Sequence, residues 1–168
     1  MNKLIIAAII IFAAFTRLIP HPSNFTPIIA MGLFGGAYLK DHRLVFLIPL
    51  IAMIIADVFL GFHGMMIWVY GSLIIISMMG ILLKNRTSLV NCSAATLGGS
   101  LLFFLMTNFG VWFMGGYEKS ISGLTTCYIM AIPFFQNTLM SAVIYGALMF
   151  GGFEALKYLF QRRIPDSI

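Results

Sequence analysis

The chain has 168 residues, of which 61% are hydrophobic and 9% charged, with a mean hydropathy of +1.01. A water-soluble domain carries about 25% charged residues, so this chain lacks the polar shell that water demands. Composition therefore implies a single integral membrane domain, residues 1–168, and the net charge of +5 does not mark a nucleic-acid binder, because the basic residues are scattered at the ends of apolar runs.

The first run, "MNKLIIAAIIIFAAF", begins like a secretory signal, with Lys3 ahead of an apolar stretch. No small-x-small cleavage site follows and the run continues to Ile19, so a retained helix over 3–19 is expected. The next stretch, "RLIPHPSNFTPIIAMGLFGG", is unusually polar and kinked for such a chain. Its first part, 17–27, reads as an outer cap in which prolines stop the helix and hold His21 and Asn24 over the bundle. The second part opens a short span over 26–39, rich in glycine.

Further spans are expected over 44–62, 65–83, 93–114 and 137–160, each close to the ~20 apolar residues a membrane helix needs. The run 123–135, "GLTTCYIMAIPFF", is too short to cross and contains Pro133. It reads as an interfacial or re-entrant piece. Long runs without strand alternation make the chain all-helical.

Charge orients the six spans. With the N-terminus inside, Lys3, Lys40, Arg43, Lys84, Arg86, Lys157, Arg162 and Arg163 fall on the inner side, and Arg17 and Lys119 on the outer. Eight against two is a clear positive-inside bias, and it depends on 26–39 crossing. Both termini are then cytoplasmic. Oriented so, the unusual polar residues gather in the outer third: Arg17, His21, Asn24, Thr26, Asp57, His63, Asn108, Gln136 and Asn137, with Trp68, Tyr70, Trp112 and Tyr117 beside them.

Intramembrane charges pair or face a cavity. Arg17 and Asp57 either lock the first helix to the third or bind a charged group in an outward-facing pocket. A cavity holding Arg17, Asp57 and Asn108 would separate the two readings. Trp68, Tyr70, Trp112 and Tyr117 stand where an interfacial belt is expected, and Asn108 where an interhelical hydrogen bond is. Glu154 and Lys157, three apart, read as a surface ion pair.

Cys92 and Cys127 have no paired spacing, so neither a disulfide nor a zinc site is implied. His21, His63, Asp57 and Cys127 match no metal-ligand spacing; Cys127 is at most a weak candidate ligand and reads as a buried thiol. No paired carboxylates, serine–histidine grouping, P-loop or dinucleotide fingerprint is present, so neither an enzyme nor a cofactor is expected. Gly32, Gly35, Gly36, Gly99 and Gly151, with Ala95 and Ala147, form small-residue pairs suited to close helix packing or to docking another membrane protein.

The runs "RLIPHPSNFTPIIAMGLFGGAYL", "ADVFLGFH", "TNFGVW" and "PFFQNTL" resemble a family of small bacterial inner-membrane proteins, itself similar to the substrate-binding (S) components of energy-coupling-factor transporters. The resemblance implies a six-helix bundle that takes a small vitamin-like solute at its outer face for uptake. The site would correspond to 21–26, Trp68, Tyr70, Asn108, Trp112, Gln136 and Asn137. It also implies partners: a transmembrane coupling subunit driven by ATPases, docked through small residues of the first helix. Here Ala7, Ala8, Ala13 and Ala14 are present without an alanine-x-x-x-alanine pair. Relatives that take up cobalamin alone use a cysteine on the cobalt, a role open to Cys127. The alternative is a non-transport scaffold or accessory subunit of a larger membrane complex.

Overall fold

The computed structural model describes residues 3–162, with side chains to Phe160; Arg163, and the side chain of Arg162, counted above as inner charges, lie outside the described residues. The described chain is helical throughout, without strands. The helices are α1 (Lys3–Phe15), α2 (Ile28–Tyr38), α3 (His42–Leu60), α4 (Met66–Leu82), α5 (Leu89–Val111), α6 (Ile121–Gly146) and α7 (Gly152–Arg162). A 3-10 turn, Thr16–Leu18, follows α1, and π-type turns follow α5 (Trp112–Gly116) and join α6 to α7 (Ala147–Gly151).

Local chemistry sets the boundaries. Thr16 turns its hydroxyl onto the Ala13 carbonyl at 2.6 Å as α1 tightens. Ile19 is then extended (φ −82°, ψ 137°), as the residue before Pro20 must be. Asp41 caps α3 by accepting from the Arg43 amide (2.9 Å), and Ser88 and Ser120 cap α5 and α6 through the amides of Asn91 and Gly123. Gly61 ends α3 at φ +92°, a conformation that favours glycine.

At the centre lies α2. Its residues from Ile28 to Ala37 are all buried, and it touches α1, α3, α4, α5 and α6. Glycine allows this. A Cβ on Gly36 would collide with the backbone of Ser77 and Gly80, and one on Gly80 would lie 2.5 Å from the Leu33 carbonyl oxygen. Gly32 meets Ile76 of α4, Gly35 meets Pro49 of α3 and Ile10 of α1, and Gly99 of α5 meets Ile29. The aromatic ring of Phe34, fully buried, takes Phe150 and Phe153 edge-on at 5.4 and 5.3 Å. Small residues here let the helix backbones approach closely.

Three helical stretches are long and apolar enough to cross a membrane: His42–Leu60, Leu89–Gly116 and Ile121–Phe160. The others are shorter than the sequence suggested. At 1.5 Å per residue the 13-residue α1 and 11-residue α2 reach only about 20 and 16 Å, and the 17-residue α4 about 25 Å.

One expectation is corrected. The separate piece over 123–135 and the span over 137–160 are a single 40-residue helical stretch, Ile121–Phe160, with Pro133 inside α6. Polar residues do not interrupt it, because their hydroxyls are satisfied by the helix itself. Thr138 donates to Phe134 O (3.0 Å) and Ser141 to Thr138 O (2.9 Å).

Candidate functional site

Two polar centres form toward the end of the bundle where α1 and α3 finish and α4 begins. In the first, Arg17 donates from Nη1 to Asp57 Oδ1 at 2.7 Å, and the Tyr70 hydroxyl donates to Asp57 Oδ2 at 2.5 Å. Arg17 Nη1 also contacts Met53 Sδ at 3.3 Å. The side chains are 9% and 2% exposed for Arg17 and Asp57, so the pair joins α1, α3 and α4 in a dry setting. Arg17 Nε is buried without a hydrogen-bond partner among the described residues. A charge in such a place is tolerable only while its partner is present.

The second centre is an open cavity of about 260 Å³. Its floor is the connection between α1 and α2, through Ser23 and Asn24. One wall is the end of α5 and the following turn, through Asn108, Val111 and Tyr117. The other is one face of α6, Cys127, Met130, Ala131 and Phe134, at i, i+3, i+4 and i+7. Asn108 donates from Nδ2 to Phe104 O (2.8 Å), and the Cys127 thiol meets Asn108 O at 3.3 Å, tying the two walls.

The α1–α2 connection is fastened to the middle of α6 rather than laid across its outer end. Asn137, sixteen residues after Ile121, donates from Nδ2 to Ser23 O at 3.0 Å. Tyr145, further along, meets the Thr16 hydroxyl at 2.8 Å, and its ring lies tilted to that of Phe25 at 6.1 Å. About 24 Å of α6 therefore precedes the connection at 1.5 Å per residue, and α5 pairs alongside it. The cavity occupies this step between short and long helices.

The expected site residues are thus divided. Asn24 and Asn108 line the cavity, and Cys127, a weak metal candidate by sequence, lies in its wall. Arg17, Asp57 and Tyr70 close on one another, apart from it. Trp68 packs its indole against Gly110, where any Cβ would collide with the ring, and stands edge-on to Phe109 and Phe113. The Trp112 indole donates to Glu118 O at 2.9 Å. His21 is exposed, its Nδ1 2.9 Å from Pro22 O; Gln136 is exposed on α6, and Asn137 holds the connection. Gly151 has open space where a Cβ would go, so it packs no helix within the described residues.

Ser23 falls within the expected stretch 21–26, whereas Val111, Met130, Ala131 and Phe134 were not foreseen. The helical spacing of 127, 130, 131 and 134 was the available signal. Reading 123–135 as a separate piece concealed it. Among the described residues no three His, Cys, Asp or Glu side chains converge on a metal position, and both cysteines are free.

At the other end of the bundle, Tyr38 donates to Glu154 Oε1 at 2.6 Å and Lys157 grips both oxygens of the same carboxylate at 2.9 and 2.8 Å. The sequence pair Glu154–Lys157 therefore also ties the end of α2 to α7.

Fold and cavity together define an all-helical chain with three stretches long and apolar enough to cross a membrane and a mixed polar–apolar hollow at one end. Residues 1–165 match the family model described as "Family of unknown function (DUF6580)", and the chain belongs to that family. No curated protein and no solved structure matches it.

Proposed function

We propose that this chain is a six-span protein of the bacterial inner membrane that captures a small solute at its outer face for uptake, as S components of energy-coupling-factor transporters do. The cavity beside the α1–α2 connection carries the reading. Small-molecule sites combine apolar walls with a few placed polar groups, and Asn24, Asn108 and Tyr117 set against Val111, Met130 and Phe134 have that make-up. The shortness of α2 supports it too. Irregular backbone is tolerated at membrane depth only where it is buried in protein or lines a cavity, and transporters use interrupted helices to build sites there. Uptake through an ATPase-driven coupling subunit belongs to the same proposal.

A second reading has its own observation. Along α1 and the α6–α7 junction runs an apolar groove of about 540 Å³, walled by Ile5, Ala8, Phe12, Leu148 and Met149. A scaffold or accessory subunit would use it for another membrane protein. Native mass spectrometry of the full chain in gentle detergent distinguishes the two. The solute reading expects a bound small molecule that is lost in Asn108→Leu. A stoichiometric protein partner with no small molecule overturns it in favour of the scaffold.

A further inference from the structure

The cavity's own lining indicates what class of solute it takes, an inference that rests on reading it as a solute site. No Asp, Glu, Lys, Arg or His lines it. The charges that could have served are spent elsewhere. Arg17 and Asp57 neutralise each other at 2.7 Å. Lys119, at the turn between α5 and α6, sits 4.9 Å over the rings of both Trp112 and Phe113 and donates to their carbonyls. Glu118 is exposed on that turn, outside the lining. A charged group brought against this wall would lose water without meeting an opposite charge, which is strongly unfavourable.

What the cavity offers instead is neutral hydrogen bonding. The Asn24 amide, the Tyr117 hydroxyl and the Asn108 Oδ1 make no hydrogen bond among the described residues, since Asn108 uses only its Nδ2, on Phe104 O. Facing them, Met130 and Phe134 present an apolar surface. We propose that the seated part of the solute is an uncharged group bearing an amide or hydroxyl, and that carboxylates, phosphates and amines are excluded. Donors and acceptors left free in a site select for a partner that satisfies them, and the rejection of mismatched groups is correspondingly sharp.

Three probes of one shape test this: benzamide, benzoate and benzylamine, offered to the full chain in lipid nanodiscs and followed by saturation-transfer NMR titration. Benzamide is expected to bind at least about ten-fold more tightly than either ion. Asn108→Leu should weaken benzamide by about ten-fold or more. Asn24→Gly should weaken it too; it removes the amide while suiting the left-handed backbone at φ 62°, which guards against a variant that fails to fold. Lys84→Gln, in the connection between α4 and α5, should leave it unchanged. Benzoate or benzylamine binding as tightly as benzamide, and losing that binding in either asparagine variant, overturns the uncharged class while the solute site stands. Binding of none of the three, or binding indifferent to both asparagines, overturns the site and this inference together.

Discussion

Around Gly36 the bundle has no room at all, while around Asn108 it leaves a hollow. The first region is α2 and its neighbours, where backbones touch through Gly32, Gly36 and Gly80 and every residue from Ile28 to Ala37 is buried. The second is the step where α5 and α6 run on past the α1–α2 connection, with asparagines and a tyrosine left facing open space. Both contain polar or small residues in an apolar chain, yet to opposite ends. Small residues in the first region remove space, and polar residues in the second line the space that is left.

The sharpest way to break this contrast is Gly36→Leu. Its side chain meets the backbone of α4, which cannot rotate aside, so a loss of more than about 3 kcal/mol is expected, seen as failure to recover folded protein in detergent or a collapsed thermal transition. Next comes the Arg17–Asp57 pair between the two regions. Asp57→Leu leaves a buried guanidinium alone and should cost about 3–5 kcal/mol, whereas Arg17→Met with Asp57→Leu should return to within about 1 kcal/mol of the parent. Thermal unfolding of both single variants and the double variant closes that cycle; equal loss in the double and Asp57→Leu alone would show that the cost is not that of a stranded guanidinium.

Gly110→Ala is gentler. The methyl displaces the Trp68 ring, for an expected ~1–3 kcal/mol and a shift in tryptophan emission. Smallest of all is Gly152→Ala. Gly152 is helical (φ −60°) with nothing within 4 Å of a Cβ, so the change should stabilise by about 0.4–1 kcal/mol through the unfolded chain. A clear destabilisation there would mean that this junction is packed against a partner.

Much of the closed region was legible in the sequence. Runs bounded by charge gave α3 and α4 to within two residues, because Lys40, Arg43, Lys84 and Arg86 interrupt the apolar stretches near the helix ends. Arg17 and Asp57 were readable as partners for the same reason: a lone cation and a lone anion in apolar surroundings need one another. Tyr70 was not, since an aromatic at a helix start is equally suited to an interfacial belt. The open region was harder to read. Pro133, with Gln136 and Asn137 just beyond it, mimics a helix end, and only the Thr138 and Ser141 hydroxyls bonding back along the helix reveal that it continues. Nor does sequence say that Trp68 leans on Gly110; that contact depends on how far α4 slides along α5.

The burial of α2 also governs how the protein is made. Most of its neighbours come after it in the chain: α3, α4, α5 and α6 all follow it. With 11 residues it is shorter than the ~20 apolar residues a spanning helix needs, and Gly32 and Gly36 have no backbone to rest against until α4 is in place. Nascent chains arrested after α3 should therefore leave α2 open to aqueous thiol labelling at an introduced Ala30→Cys, and chains released after α6 should protect it. The burial of α2 is therefore completed only by helices that lie C-terminal to it.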